Sequence, residues 1–168
     1  EEFLHAVYKQ VFARADGRDG PYSLETDTFP LIDEVGPAAA KLKKALENLH
    51  NPLTALANGL RKKLNDQAES LDADTRRRLD AIISSIGLRT MSLAAWMGML
   101  ETLQGAKGQP EFVDWMEIER IEGRAYDVGL YRHWVDPMKP FAQSISHHAH
   151  GIAVTSATLR DGTEDDNE

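Results

Sequence analysis

The sequence predicts a mainly α-helical protein: a long antiparallel helical hairpin with a small β-hairpin and one further strand near the C-terminus. Two apolar heptad seams on either side of a short polar stretch predict the helical hairpin. After residue 110 the spacing changes to an alternation of apolar and polar residues, which predicts the β-hairpin. Four segments are expected: an N-terminal helix and loop over 1–31, the helical hairpin over 32–108, the β-hairpin and a returning strand over 109–160, and a mobile acidic tail over 161–168.

Length and composition exclude several classes of protein. The 168 residues suffice for one domain with a sizeable core. No apolar run approaches the length of a membrane span, and the first residues carry no secretory signal, so we expect a cytoplasmic protein without a membrane partner. Cysteine is absent, which excludes disulfides, thiolate zinc sites and iron–sulfur clusters within these residues. Because the chain begins without methionine and ends in an acidic run, we expect it to be a piece of a longer protein.

The first elements follow from helical spacing and its interruption. A short helix is predicted over 1–15, and the glycine- and proline-rich stretch that follows predicts a loop as far as Pro30. Pro52 lies inside the first long seam, where it cannot donate a backbone hydrogen bond, so we expect a kink or a break into two helices there. Apolar residues at alternating steps of four and three form that seam: Leu42, Leu46, Leu49, Leu53, Leu56 and Leu60.

The second long helix is expected to begin with Asp72 or Asp74 as its N-cap, since a short carboxylate can accept from the first free N–H groups. Its seam comprises Leu79, Ile83, Ile86, Leu93, Met97 and Leu100. The β-hairpin is predicted from Phe112–Glu119 and Tyr126–Val135, with residues 120–124 as the connector and Arg132 as an exception on its apolar face. A short helical or irregular piece over 141–148 then leads to an apolar strand that begins at Gly151.

Two basic triplets flank the predicted tip of the helical hairpin, Arg61-Lys62-Lys63 and Arg76-Arg77-Arg78. The net charge of −8 argues against a free-standing nucleic-acid binder, but residues 37–105 form the one net-basic segment. The triplets are open to two interpretations. They form either a phosphate-facing edge that binds nucleic acid or a solvated tip that is balanced by five acidic neighbours, Asp66, Glu69, Asp72, Asp74 and Asp80.

The histidines are candidates for a nucleophile and for metal ligands. The run from Leu49 to Leu56 resembles the phosphoacceptor box of a sensor histidine kinase, but the position five residues before Pro52 is Glu47 rather than histidine. A kinase dimerisation domain phosphorylated at His50 is therefore the least favoured alternative. Neighbouring histidines at 147, 148 and 150 rarely share one ion, so no metal site is expected. With no P-loop and no catalytic constellation, no catalytic residue is predicted in this chain.

The segment from Gly151 to Leu159, an apolar run that ends in Thr155-Ser156-Ala157-Thr158-Leu159, resembles motif III of superfamily 2 helicases of the DinG/XPD type. The stretch from Tyr131 to Pro137 is similar to the hairpin-and-proline segment that precedes this motif in DinG-like proteins. In that branch a largely helical insertion, the arch domain, lies between the DEAH motif and motif III. The resemblance is specific over about residues 110–160 and only architectural over 1–105.

The resemblance implies that the chain is an arch-like insertion plus the returning strand of a motor domain in an ATP-dependent DNA helicase. The parent would move 5′→3′ on single-stranded DNA, with ATP and Mg²⁺ bound outside this chain. The resemblance does not determine whether the parent holds an iron–sulfur cluster. Thr155, Ser156, Ala157 and Thr158 would couple hydrolysis to strand movement, and the arch would guide the DNA. The fragment itself would be inactive and a monomer or weak dimer. The alternative is a helical protein-interaction or dimerisation module.

Overall fold

The computed structural model describes residues 1–67, 69–105, 109–146, 149–153 and 155. It confirms the predicted mainly helical fold with a β-hairpin, and the sheet that contains the hairpin is three-stranded and antiparallel. The chain divides into two units, Glu1–His133 and Trp134–Glu168, which are described separately. The helices are α1 (Glu2–Arg14), α2 (Val35–Asp66), α3 (Ala73–Leu103) and α4 (Met138–Ser146), and the strands are β1 (Leu24–Asp27), β2 (Phe112–Ile121) and β3 (Arg124–Trp134).

The two long helices form the predicted antiparallel hairpin. Lys43 near the start of α2 forms an ion pair with Glu101 near the end of α3, with 3.0 Å between Nζ and Oε1. At 32 and 31 residues, each helix is about 45–50 Å long. Of the two predicted N-caps of α3, Asp72 rather than Asp74 caps the helix, and its side chain accepts a 2.8 Å hydrogen bond from the Thr75 backbone N–H. Gly105, at a φ of 88°, follows the end of α3.

Pro52 lies inside α2 without dividing it. The prediction of a break into two helices is therefore wrong, while a kink within one helix stays a prediction. A proline in a helix interior costs about 3 kcal/mol, and packing along the rest of the helix can offset that cost. Ala57, five residues further on, is buried, whereas Leu49 and Leu56 are each 52% exposed, so the prediction that these two leucines lie on the buried seam is wrong.

The core of the first unit lies at the base of the hairpin. There α1, the start of α2, the end of α3 and the inner face of the sheet pack together. Within α1, Phe3, Val7 and Val11 are buried, whereas Leu4 and Phe12 are more than 40% exposed. The other core residues are Ala6, Ala15, Leu24, Val35, Ala38, Ala39, Leu100, Leu103, Met116 and Ile118.

The segment that was predicted to be a loop up to Pro30 contains β1, so that part of the prediction is wrong. β1 pairs antiparallel with β2, with Leu24 opposite Ile118, and both side chains are buried. Leu24 is the one apolar residue of the strand, so the sequence has no alternating pattern to indicate it. The strand forms because β2 offers a backbone edge and an apolar partner for Leu24.

Helix α1 holds the chain between β1 and α2 through a buried glutamine. The Gln10 side chain is fully buried, and its Nε2 donates to the carbonyl oxygens of Thr28 and Pro30 at 2.9 and 3.0 Å. Its Oε1 accepts from the Ile32 backbone N–H at 2.8 Å. Because these partners lie on both sides of the Phe29–Pro30 bond, the glutamine fixes the course of the chain between the sheet and the hairpin.

The predicted β-hairpin is confirmed and its turn is shorter than expected. Glu122 and Gly123, with φ of 52° and 79°, form a two-residue turn between β2 and β3. Arg132, the exception on the apolar face of β3, binds the Asp114 carboxylate through two 2.6 Å hydrogen bonds. Its guanidinium also donates to the Thr102 hydroxyl at 3.1 Å and lies over the Phe112 ring. This pairing explains how a charged residue occupies that face.

The second unit contains α4, where a short helical or irregular piece was predicted. The Asp136 carboxylate accepts a 3.0 Å hydrogen bond from the Met138 backbone N–H at the start of this helix. The apolar strand predicted from Gly151 does not form in its described residues, 151–153 and Thr155, which are exposed and in no regular element. A strand needs a hydrogen-bonded neighbour, and these four residues have none among the described elements. The remainder of that strand and the acidic tail over 161–168 lie outside the described residues.

Candidate nucleic-acid interface

The last turns of α2 and the first turns of α3 bring the two basic triplets to the same end of the hairpin. All six side chains are exposed: Arg61, Lys62, Lys63, Arg76, Arg77 and Arg78. The seam positions on either side of each triplet are half-buried, namely Leu60, Leu64, Thr75 and Leu79. The triplets therefore lie outside the contact between the helices, and their charges face solvent.

Three of the six cations have local partners. Arg78 forms a 2.7 Å ion pair with Asp74, Arg61 donates to the Asn58 side chain at 3.0 Å, and Arg76 donates to the Leu71 carbonyl at 3.1 Å. Both groups of the ion pair are more than half exposed, so it contributes little to stability. Of the six, Arg78 has its charge balanced by a directly bound carboxylate.

The other three cations, Lys62, Lys63 and Arg77, have no ion pair among the described residues. Of the acidic neighbours, Asp72 is engaged by helix capping. Hydrogen bonds from the backbone N–H and the hydroxyl of Thr75 lower the pKa of its carboxyl. Asp66, Glu69 and Asp80 also lie at this tip, but none of them forms an ion pair with Lys62, Lys63 or Arg77 in the described structure, so the exposed charged groups of these three side chains can bind a phosphate ligand.

The motif III residues are not brought to this tip by the described structure. Thr155 is exposed and in no regular element. Ser156, Ala157 and Thr158 lie outside the described residues, as does Val154. The roles implied for them by the helicase resemblance therefore stay predictions.

The histidines are dispersed. His50 is half-buried on α2, and its Nδ1 lies 3.5 Å from the Asn51 side-chain oxygen. Glu47, at the phosphoacceptor position of the kinase-like box, is paired with Lys44 and Lys43, and these two ammonium groups lower its pKa. His147 and His148 lie outside the described residues. Over the part of the chain that is described, no three His, Cys, Asp or Glu side chains cluster as metal ligands.

Two other surfaces of the first unit were not predicted. An apolar cleft of about 750 Å³ lies at the base of the hairpin, lined by residues that include Phe3, Leu42, Leu46, Trp96, Met99 and Leu130. Glu2 and Lys41 form an ion pair among its lining residues. Trp96 is half exposed. In the described helices, none is apolar over enough length to cross a bilayer.

The outer face of the sheet carries a group of stacked rings. Trp115 on β2 stacks on Tyr131 on β3, with centroids 5.3 Å apart, and His133 meets Trp115 edge-on at 4.7 Å. The period-two alternation of β2 was the available signal for this face, since Val113, Trp115, Glu117 and Glu119 alternate with buried or half-buried inner residues.

No protein-family model matches this chain, and searches of the curated proteins and of the solved structures also found no match.

Proposed function

We propose that this chain is the arch-like insertion of a DinG/XPD-type ATP-dependent DNA helicase, and that the hairpin tip guides single-stranded DNA. The parent would unwind DNA in the 5′→3′ direction, with ATP and Mg²⁺ bound by residues outside this chain. The residues from Thr155 to Thr158 support the proposal through their resemblance to motif III. The order of elements also supports it, since a long helical hairpin and a β-hairpin precede that motif.

The observation that carries the DNA-guiding role is that Lys62, Lys63 and Arg77 are exposed and form no ion pair among the described residues. A cation that binds phosphate displaces counter-ions from the DNA backbone, which is the main source of sequence-independent affinity. At the tip these cations lie far from the acidic N-terminal segment, whose carboxylates would repel phosphate, and the six cations of the triplets outnumber the five acidic neighbours there. The contact would be weak and sensitive to salt.

The DNA-guiding role is tested by fluorescence anisotropy with a labelled oligothymidine over a series of salt concentrations. The variant Lys62→Gln/Lys63→Gln/Arg77→Gln should bind more weakly, and the slope of log affinity against log salt should fall by about 2, since each phosphate contact on a single strand contributes about 0.7. The matched control is Lys9→Gln/Lys41→Gln/Lys44→Gln, which removes the same charge from side chains that pair with Glu34, Glu2 and Glu47. Equal slopes in the two variants would contradict a site at the tip.

The helicase origin has a separate test. We expect no ATP hydrolysis by this chain alone, and we expect a Walker A loop and an Asp-Glu-x-His motif upstream in the parent reading frame. A parent sequence that lacks both motifs would remove the helicase assignment. It would leave the DNA-binding measurement at the tip unaffected, so the two parts of the proposal can fail independently.

A helical protein-interaction module is the second candidate, and one specific observation favours it. Leu88, Met91 and Trp96 on α3 are 68%, 71% and 51% exposed. The segment 86–100 carries a single charged residue, Arg89, and a helix that is apolar on most sides is ordinarily buried. If this surface binds a second copy, sedimentation should detect a dimer that Leu88→Gln/Met91→Gln abolishes. A monomer at high concentration would count against that version.

A further inference from the structure

The outer face of the sheet is a rigid aromatic surface. Trp115 and Tyr131 lie nearly parallel, at 17°, and each ring is tied to a glutamate: the Trp115 indole N–H donates to Glu117 at 3.2 Å, and the Tyr131 hydroxyl donates to Glu119 at 2.9 Å. Gly129 leaves room for the tyrosine ring, because a Cβ at that position would lie 2.7 Å from it. Burial, and then Glu119, raise the pKa of Tyr131 to about 12, so the hydroxyl stays protonated and keeps donating.

This face also carries a concentration of negative charge that the described chain does not neutralise. Glu25 on β1 lies directly opposite Glu117 on β2 in the antiparallel register, and Glu119 follows on the same face of β2. Like charges directly opposite each other in a sheet are destabilising. Among the described residues, none of these three carboxylates forms an ion pair with Lys, Arg or His.

The chemistry of the face selects one class of ligand. Its carboxylates repel phosphate, so it does not suit nucleic acid, and these carboxylates do not form a metal-binding group in the described structure. A guanidinium group suits both features, since it stacks on aromatic rings and binds carboxylates through paired hydrogen bonds. An ammonium group would match the charge but not the planar stacking.

We propose that the outer face of the sheet, formed by Trp115, Tyr131, His133, Glu25, Glu117 and Glu119, docks an arginine-bearing segment of a partner protein. The argument for this occupant is charge complementarity: an arginine between Glu25 and Glu117 relieves their repulsion while its plane covers the indole or phenol ring. The proposal does not depend on the helicase assignment. It concerns a surface of opposite charge from the hairpin tip.

The test is a titration of the purified chain with an octapeptide of alternating glycine and arginine, followed by NMR and calorimetry. The indole N–H signal of Trp115 should shift while that of Trp96 does not. A peptide with citrulline in place of arginine, which keeps the shape and loses the charge, should bind at least about tenfold more weakly, since charge-assisted hydrogen bonds are about twice as strong as neutral ones. Equal binding of the two peptides, or no binding of either, overturns the proposal.

Variants locate the contact. Glu117→Gln/Glu119→Gln should weaken binding of the arginine peptide about tenfold, because the charge-assisted contact to Glu117 and the negative charge of Glu119 on the same face are both lost. The control Glu69→Gln/Asp80→Asn removes the same charge at the hairpin tip and should leave the affinity unchanged. Equal weakening by both variants would indicate general attraction to an acidic protein and would overturn the docking face. If Glu117→Gln/Glu119→Gln changes the sheet, Glu25→Gln on β1 serves as the second variant. An unchanged affinity of the arginine peptide for Glu25→Gln counts against the proposal.

Discussion

The base and the outer arm of the hairpin are built from the same two heptad seams, yet they differ in how much of each helix is covered. At the base, α1 and the sheet pack on the two helices, and Val7, Val11, Val35, Met116 and Ile118 are fully buried. In the arm, Leu49, Leu56 and Leu88 are more than half exposed. Two helices alone bury one stripe of each other, so further layers are needed to cover the remaining apolar side chains.

This difference assigns distinct mechanical roles to the two regions. The base has the buried core that anchors both helices, whereas the arm is held by the contact between α2 and α3, which buries Ala57, Ile83, Ile86 and Leu93. Regions with few buried apolar contacts open locally at lower free energy than the core. The proposed DNA-guiding tip therefore lies on the more easily deformed part of a well-anchored hairpin.

A matched pair of isoleucines gives the largest expected difference between base and arm. Ile118→Ala removes a fully buried side chain at the base and should lower the free energy of unfolding by about 2–5 kcal/mol. Ile86→Ala, at 8% exposure in the arm, should cost less because solvent and neighbouring side chains can fill the space more readily. Chemical denaturation of both variants measures the two losses. Equal losses would mean that the arm is as well packed as the base.

The Arg132 pair provides the second comparison, since it joins the sheet to the end of α3. The Arg132 and Asp114 side chains are 15% and 11% exposed. Arg132→Gln should cost roughly 2–3 kcal/mol, somewhat less than the loss of a fully buried pair, because it leaves the Asp114 charge without its partner. The double variant Arg132→Gln/Asp114→Asn should recover part of that loss in the same denaturation experiment. No recovery would mean that Arg132 contributes mainly through Thr102 and the Phe112 ring.

The smallest effect is expected at the tip, from the titration of Asp72. The Thr75 backbone N–H, followed by its hydroxyl, lowers the Asp72 pKa below 3.8. A depressed pKa stabilises the fold above the unfolded value, and that stabilisation is lost as the pH falls through the folded value. The matched variant Asp72→Asn keeps a capping oxygen but does not titrate. Thermal melts should therefore show a higher Tm for the wild type than for this variant at about pH 6. This difference in Tm should shrink as the pH is lowered to about 2.5, and a constant difference would contradict this account.

Several elements were predictable because their signals are local. The heptad spacing predicted both long helices, the short oxygen acceptor Asp72 predicted the start of α3, and the alternation after residue 110 predicted the β-hairpin. The strand β1 was not predictable, since Leu24 is its one apolar residue and β2 supplies the pairing. Helix α2 continues through Pro52 for a similar reason, because contacts along the whole helix can offset a local penalty.

The candidate sites show the same distinction between features that depend on local sequence and features that depend on distant contacts. The sequence indicated the basic triplets, because exposed cations at a hairpin tip need no distant partner to be recognised. It did not indicate the aromatic and acidic face of the sheet, because the stacking of Trp115 on Tyr131 and the opposition of Glu25 and Glu117 depend on strand register. Arg132 was visible as an exception in its strand, but its partner Asp114 became known only from the fold.

By itself, the sequence determined the two helical seams, the turn between them, the cations at the tip and the alternating strands, since each depends on residues within a few turns or steps of one another. The tertiary structure alone decided which part of each seam is buried, where β1 joins the sheet and which charges face each other. Those features depend on contacts between residues far apart in the chain, and the energies of such contacts are set by packing, pairing and desolvation rather than by local spacing.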